Sequence, residues 1–255
     1  MNSEFFTGIK QWEFERQGAI ARLPVFYYDN TSLTAIYTAA TPKVKALLPH
    51  ASMQPIELYP GRCLVAFTAF EYRKTDIDPY NEFSIAFLVS FGRPQIPGLT
   101  AAWQMLNKRF TAYVWQLPVT TEIARAGGVE LYGYPKFLAR IDFRRESGWL
   151  TCDLAEGDKK ILSLRGQELP TSRGRINRFV TYSIMDGISL VANVLVNPLE
   201  YGETRNGNAA ELILGPEHPI AAALRKIGLS PKPMLYQYSA KTEAILFGGR
   251  NLIDS

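Results

Sequence analysis

The chain has 255 residues, of which 47% are apolar and 20% charged, so it has enough apolar material for a large core. Its 28 basic and 24 acidic residues give a formal net charge of +4, which is too small an excess for a nucleic-acid-binding protein. Two histidines and two cysteines leave almost nothing from which a zinc or iron site could be built. We therefore expect no nucleic-acid partner and no metal or organic cofactor, and chemistry carried by lysine, carboxylate, tyrosine or hydroxyl groups.

The N-terminal segment MNSEFFTGIKQWEFER lacks the basic start and the long apolar run of a secretory peptide. No segment approaches the roughly 20 apolar residues that cross a bilayer. Cys63 and Cys152 lie within alternating apolar runs, which predicts two buried thiols and no disulfide. We expect a soluble, cytoplasmic protein with no membrane partner.

Runs of alternating apolar residues, broken by Gly, Pro, Asn and Asp, dominate the chain and predict strands. The clearest are Leu33–Thr38, Arg62–Tyr72, Glu82–Phe91, Arg109–Leu117, Phe137–Arg144, Trp149–Ala155, Lys160–Arg165, Arg178–Met185, Ser189–Val196, Ala209–Leu214 and Met234–Phe247. Roughly ten strands with few helices between them favour an antiparallel barrel or sandwich over a doubly wound parallel sheet.

Three short helices are predicted between these strands, each with a residue that can cap its start and a residue that can end it. They cover residues 41–49, residues 120–128, where Gly127 and Gly128 are expected to end the helix, and residues 215–228. We expect these helices to pack against the ends of the sheet.

The segment from Tyr132 to Phe137 places Lys136 among aromatic and aliphatic residues. Pro135 fixes its own backbone and keeps Tyr134 extended, so the lysine follows a rigid segment. In such surroundings a lysine commonly extends its amine to solvent, and that interpretation stays open. The alternative is a buried amine, which desolvation keeps neutral and therefore nucleophilic toward ketones.

The stretch GGVELYGYPKFLARIDF resembles the acetoacetate decarboxylase family, whose Schiff-base lysine follows a Tyr-Pro pair shortly after a Glu-Leu-like dipeptide. A weaker likeness extends from about Leu23 to Phe247, through DNTSLTAIYTA, TPKVKALLP, PYNEFSIAFLVSF and AAELILGPEHPIAAAL. The resemblance implies a mainly β, single-domain antiparallel β-barrel or cone with a few short packing helices, an interior lysine and a homo-oligomer. It divides the chain into an N-terminal extension, residues 1–20, and a β domain, residues 21–250.

By this resemblance Lys136 is the catalytic nucleophile and Glu82, in PYNEF, is the catalytic acid or base. Phe137 stands where the decarboxylases have a second lysine. Because adjacent residues of a strand point to opposite faces, we expect Phe137 to point away from a site that contains Lys136. Tyr132 and Tyr134 are candidates for hydrogen bonds to the substrate, although tyrosines in such positions are as often packing residues.

Two further positions that the resemblance assigns to the substrate site differ from the family pattern. Asn30 stands where the decarboxylases have an arginine, and Thr68 stands where they have a glutamate. An arginine can hold a substrate carboxylate with paired charged hydrogen bonds, and an asparagine cannot replace it. These differences leave imine chemistry in place and make acetoacetate itself doubtful as the substrate.

The sequence thus predicts a Schiff-base-forming lyase that decarboxylates a β-keto acid through an imine on Lys136. Relatives in the wider family use the same lysine for aldol and dehydration reactions, so an aldolase or dehydratase that acts on a keto acid is the first alternative. A non-catalytic pocket, in which Lys136 only anchors a small ligand, is the second.

Overall fold

Alternating apolar and polar residues build most of the chain into strands. The computed structural model describes residues 3–16 and 19–251. In chain order its strands are β1 (Trp12–Arg16), β2 (Ala19–Leu23), β3 (Val25–Ala40), β4 (Met53–Pro55), β5 (Glu57–Tyr59), β6 (Arg62–Thr75), β7 (Tyr80–Phe91), β8 (Arg109–Gln116), β9 (Arg140–Glu146), β10 (Trp149–Glu156), β11 (Lys159–Gln167), β12 (Asn177–Met185), β13 (Ile188–Thr204), β14 (Ala210–Leu214), β15 (Leu235–Leu246) and β16 (Arg250–Asn251). Each of the predicted strands corresponds to one of these.

Seven of the strands close into a barrel in the order β3-β6-β7-β8-β12-β13-β15, and β15 pairs again with β3. Neighbouring barrel strands are antiparallel, as predicted, except for β8 and β12, which are parallel. A parallel pair needs a long crossover. Here the crossover contains β9, β10 and β11, which form a separate four-stranded sheet together with β14.

One face of the barrel sheet packs against the four-stranded sheet and forms the core that we call the outer core. Phe67, Ile85 and Tyr236 of the barrel lie there with Leu150 and Leu154 of the smaller sheet, and all five are almost completely buried. Apolar residues at alternate positions of these strands supply much of this contact, which is why the sequence pattern predicts the strands well.

Both cysteines lie in the outer core as buried free thiols, as the sequence predicts. Burial raises the pKa of the Cys63 thiol to about 11 and raises that of Cys152 well above its ordinary value. Both groups are therefore protonated at neutral pH, which is typical of cysteines that only fill space.

The other face of the barrel sheet points into the barrel. At one end of the barrel, side chains from most of its strands contact one another. Two adjoining apolar clusters there, which share contacts with Leu23 and Leu246, draw on six of the seven barrel strands. Their buried members from those strands include Tyr27, Tyr72, Tyr80, Val114, Ala192 and Ala244. Farther along the same face Thr68 is only half-buried, so the interior is not completely filled.

The helices differ from the sequence prediction in two places. They are α1 (Thr41–Lys45), α2 (Leu99–Asn107), α3 (Glu122–Tyr132) and α4 (Pro219–Lys226), and a 3-10 turn covers Glu4–Phe6. The sequence predicts α1 and α4 but not α2, whose most apolar side chains face outward although their spacing is that of an amphipathic helix.

Helix α3 is longer than predicted. It continues through Gly127 and Gly128, where the prediction ended it, and terminates at Gly133, which adopts the left-handed conformation with φ 60°. A glycine inside a helix costs only about 1 kcal/mol, which tertiary contacts of the helix can offset.

Among the described residues no helix is both long and apolar enough to cross a membrane. The division at residue 20 between an extension and the β domain stays a prediction, and residues 1, 2, 17 and 18 of that extension lie outside the described residues.

Candidate active site

Lys136 and Glu82 are brought together by the chain segment that follows β8. The backbone of Val119 pairs with Glu82 on one side and with Leu138 on the other. The Val119 amide donates to the carbonyl of Phe137, and the Ala139 amide donates to the carbonyl of Val119. This short bridge fixes the irregular segment 133–139 beside the start of β7, so the predicted strand Phe137–Arg144 begins only at Arg140.

The Lys136 amine and the Glu82 carboxylate form a buried ion pair. Lys136 Nζ lies 2.7 Å from Glu82 Oε2, and the two side chains are only 6% and 9% exposed. The interpretation in which Lys136 reaches solvent is therefore wrong, because the bridge through Val119 holds the segment that carries the lysine beside Glu82. Glu82 pairs with this lysine and not with an arginine.

Three tyrosines that the sequence analysis did not select surround the ion pair. Lys136 Nζ lies 5.6 Å from the centre of the Tyr80 ring, and the Tyr72 hydroxyl donates to Glu82 Oε1 at 3.4 Å. The Tyr27 ring lies 4.6 Å from the Tyr72 ring, and its hydroxyl is 3.3 Å from that of Tyr80. An ammonium group beside aromatic faces and a carboxylate is well compensated even where water is excluded.

Tyr132 and Tyr134 close the same end of the barrel. Their rings stack with centroids 5.3 Å apart, and the Tyr134 hydroxyl bonds to Thr181 Oγ1 of β12 at 2.7 Å. The Tyr132 hydroxyl is buried and has no hydrogen-bond partner within the described part of the chain. A buried donor without a partner is unfavourable, and at a candidate site it indicates a place where a ligand can accept a hydrogen bond.

The five tyrosines Tyr27, Tyr72, Tyr80, Tyr132 and Tyr134 are called the tyrosine cluster below. Burial raises the pKa of each of them above the ordinary value of 10.0. The negative charge of Glu82 raises the pKa further for all of them except Tyr132. All five are therefore hydrogen-bond donors over the physiological pH range.

Gly128 of α3 lies directly against the aliphatic part of the Lys136 side chain. A Cβ atom at this glycine would lie 2.3 Å from Lys136 Cδ, 2.4 Å from Cε and 3.1 Å from Nζ. No side chain fits between the helix and the lysine, so only glycine permits this position of the amine. Gly127, one residue earlier, has no neighbouring atom within 4 Å of its ideal Cβ.

The predicted substrate-binding residues Asn30 and Thr68 lie on the interior face of the barrel. Asn30 pairs with Tyr72 across β3 and β6, is 2% exposed, and donates its side-chain amide to the carbonyl of Thr242 at 3.0 Å. Thr68 lies on the Tyr72 face of β6 and bonds to the Thr34 hydroxyl at 3.1 Å. Neither residue contacts Lys136 directly in the described interactions.

Phe137 points away from the ion pair, as expected from its adjacency to Lys136. Its ring packs against the outer core, whereas the lysine side chain enters the barrel. The position that holds a second lysine in the decarboxylases therefore lies outside the cavity in this chain.

The arrangement supplies a nucleophile and a proton acceptor within hydrogen-bond distance of each other, which is the geometry that covalent catalysis by an amine requires. Transfer of a proton from Lys136 to Glu82 gives a neutral amine in an apolar surrounding. No group of three or more His, Cys, Asp and Glu residues able to hold a metal ion occurs in residues 3–16 and 19–251.

Sequence reasoning missed Gly128 and the tyrosines Tyr27, Tyr72 and Tyr80. The tyrosines could have been found from register, because Tyr72 pairs with Tyr80 and Phe70 pairs with Glu82 across the β6–β7 hairpin. Residues paired across a hairpin face the same side, so Tyr72 and Tyr80 share the face of Glu82.

Comparison with known proteins identifies the family and the fold. A search of curated proteins finds no match. In solved structures the chain is similar to an acetoacetate decarboxylase from Legionella pneumophila, at 15% identity and a TM-score of 0.64, covering 90% of this chain and 87% of that one. It is also similar to the enduracididine biosynthesis enzyme MppR, solved with the condensation product of pyruvate and imidazole 4-carboxaldehyde (11% identity, TM-score 0.64, 90% and 89% covered). An acetoacetate decarboxylase-like enzyme from Sphingomonas wittichii RW1 matches at 14% identity and a TM-score of 0.60, covering 94% of this chain and 97% of that one.

The sequence model of the acetoacetate decarboxylase family matches residues 14–251, so the chain belongs to the acetoacetate decarboxylase family.

Proposed function

We propose that this protein is a Schiff-base-forming carbon–carbon lyase in which Lys136 is the nucleophile and Glu82 transfers protons. The observation that carries the proposal is the buried Lys136 amine, 2.7 Å from the Glu82 carboxylate and 5.6 Å from the Tyr80 ring. Membership of an enzyme family supports the same conclusion.

The proposed reaction begins when Glu82 accepts a proton from the Lys136 ammonium group. The neutral amine attacks the substrate carbonyl, and loss of water gives a protonated imine. The positive imine nitrogen then accepts the electron pair of the breaking bond between the carbon next to the imine carbon and the leaving group, which yields an enamine. Protonation of the enamine and addition of water release the product and restore the amine.

The bond that breaks distinguishes two reactions. In the first the leaving group is carbon dioxide, so the protein decarboxylates a β-keto acid, the reaction predicted from the family resemblance. In the second the leaving group is an aldehyde, so the protein is an aldolase; a dehydratase would use the same imine but break a carbon–oxygen bond and release water. Asn30 favours the second reaction, because its amide is bonded to Thr242 and offers no cation to a substrate carboxylate.

Borohydride trapping tests the proposal. The protein is incubated with acetoacetate, pyruvate and the neutral ester methyl acetoacetate, reduced, and mapped by peptide mass spectrometry. We expect an adduct on Lys136 with at least one of these compounds, and its complete loss in Lys136→Ala. The matched control is Lys43→Ala, which removes an exposed lysine of α1 and should leave the adduct unchanged. A protein that never yields an adduct on Lys136 would contradict the proposal.

We also propose that the protein acts in the cytoplasm as a homo-oligomer. Its two buried free thiols suit a reducing compartment. The outward face of α2 exposes Leu99, Trp103 and Leu106, which is more apolar surface than a helix on a monomer normally presents.

A further inference from the structure

We infer that the substrate is a neutral carbonyl compound, and that the reaction is therefore of the aldol type. This inference rests on the proposed function. In the site without substrate, the charges of the Lys136 and Glu82 side chains compensate each other. Condensation converts an ammonium into a protonated imine with the same charge, so a neutral substrate leaves the pair balanced. A carboxylate substrate adds a negative charge, beside Glu82, that nothing in the described site compensates.

Two strands beside the ion pair, β6 and β7, supply no cation on their interior faces. The residues that face the barrel interior along β6, from Leu64 to Tyr72, are all uncharged. Along β7, from Tyr80 to Leu88, Glu82 is the one charged residue on that face. The polar groups in these stretches are hydroxyls, among them Thr68, which is bonded to Thr34 of β3. Hydroxyls and aromatic rings suit an uncharged, partly aromatic molecule.

The tyrosine cluster adds one donor that is ready for such a molecule. The Tyr132 hydroxyl is buried, stays protonated because burial raises its pKa, and has no partner within residues 3–16 and 19–251. A single neutral O–H donor can satisfy a ketone or hydroxyl oxygen, whereas a buried carboxylate requires an arginine or several donors. The stacked rings of Tyr132 and Tyr134 also provide a flat apolar surface for an aromatic group.

A neutral β-hydroxy ketone meets these requirements. It condenses with Lys136 and releases water. A base removes the proton of the β-hydroxyl, the bond between the α and β carbons breaks, and its electron pair passes to the imine nitrogen. An aldehyde leaves, the enamine takes a proton at the α carbon, and water releases a ketone. The sum of these steps is one β-hydroxy ketone converted into one aldehyde and one ketone.

The test compares two molecules with the same skeleton and different charge, acetoacetate and methyl acetoacetate. We expect borohydride trapping on Lys136 to be at least tenfold more efficient with the neutral ester. We also expect 4-hydroxy-4-phenylbutan-2-one to release benzaldehyde, measured by absorbance. Equal or better trapping of acetoacetate would overturn the inference while leaving the proposed function intact. No adduct with any carbonyl compound would remove the proposed function and this inference with it.

Two variants make the test independent of a single substitution. Asn30→Arg places a cation beside Tyr72, so it should move the trapping preference at least tenfold toward acetoacetate. Tyr132→Phe should weaken trapping of the neutral ester about tenfold and raise thermal stability, since it removes an unpaired buried hydroxyl. If Asn30→Arg does not fold, Tyr132→Phe decides: a stabilised variant with unchanged trapping of the ester would contradict the role of the hydroxyl.

Discussion

The contact between Gly128 and Lys136 explains one of the two glycines in the middle of α3. Helix propensity disfavours both glycines, yet α3 continues through them. At Gly128 the missing side chain is the space that the lysine occupies, because a Cβ there would lie within 2.4 Å of both Lys136 Cδ and Cε. The helix therefore has a local cost at Gly128, and the Lys136 side chain occupies the space that this glycine leaves inside the barrel.

The two glycines form a matched pair for a test. Gly127→Ala should stabilise the protein by about 0.5–1 kcal/mol and leave imine trapping unchanged, because its Cβ meets nothing within 4 Å. Gly128→Ala should leave the protein folded but lower trapping at least tenfold, since the flexible lysine must move. Urea unfolding and borohydride trapping measure the two effects separately.

A Gly128→Ala variant that forms the adduct as fast as the unchanged protein would show that the lysine position is not critical. If Gly128→Ala forms the adduct more slowly but regains the original rate of adduct formation at higher pH, the displaced amine has kept its function and lost its contact with Glu82. That recovery would mark Gly128 as a positioning residue, because a general loss of stability would not produce it.

At the scale of elements, the alternation of apolar and polar residues makes the strands of the barrel predictable. Strands such as Arg62–Thr75 and Tyr80–Phe91 carry apolar residues at every second position, and their bounds lie within a few residues of the prediction. Such strands are determined by the local alternation of apolar and polar residues, and this alternation is visible in a single sequence. The outer core follows directly, since it is formed by one set of alternating residues.

The candidate site was only partly predictable, and for physical reasons. The Tyr-Pro-Lys motif indicated Lys136, but a local sequence pattern does not show which way an irregular segment turns. Its inward direction depends on the bridge through Val119, which pairs with Glu82 and Leu138. The end of α3 was mispredicted because a Gly-Gly pair normally ends a helix, whereas here Gly128 leaves the space that the Lys136 side chain occupies. Both failures concern tertiary contacts that a local sequence pattern does not show.

Helix α2 has two faces of opposite character. Ala101 and Gln104 are buried, and the Gln104 amide donates to Thr111 of β8 at 2.8 Å. On the opposite face Trp103 and Leu106 are 55% and 74% exposed. A large exposed apolar stripe on a helix normally marks an interface, and a self-complementary stripe can be covered by a second copy of the chain.

We therefore expect the double variant Trp103→Glu, Leu106→Glu to form a smaller assembly in solution, because a charged face cannot be buried between two copies of the chain. The measurement is sedimentation or light scattering. Ile213→Glu changes an exposed apolar residue of β14 and serves as the control, with no change in mass expected. If the protein without these substitutions is monomeric in solution, the expectation is contradicted.

At the scale of the whole molecule, the barrel contains two kinds of buried material. The outer core is aliphatic and aromatic, and it joins the two sheets. The interior at one end of the barrel holds the tyrosine cluster, one ion pair and a half-buried polar face. Five of the 13 tyrosines thus lie buried where the proposed chemistry takes place, and the stability of the fold should depend on their protonation.

The tyrosine cluster predicts a loss of stability in alkali. Burial raises the pKa of these phenols in the folded state above the 10.0 of an exposed tyrosine. The folded state therefore binds the phenolic protons more tightly than the unfolded chain does. This stabilisation is complete below pH 10 and decreases as the pH rises through 10 toward the folded values, by about 1.4 kcal/mol per pH unit for each group. The outer core adds Tyr37, whose pKa burial raises to about 12.

Urea midpoints measured between pH 8 and 11 test this dependence, and the midpoint should decline steeply above pH 10. Tyr132→Phe removes one of the titrating groups, so its midpoint should decline less steeply than that of the unchanged protein. Tyr59→Phe, which alters an exposed ring, should keep the original slope. Equal slopes for all three proteins would mean that the hydroxyl of Tyr132 is open to water in solution, and the barrel end would then not exclude solvent as imine formation on Lys136 requires.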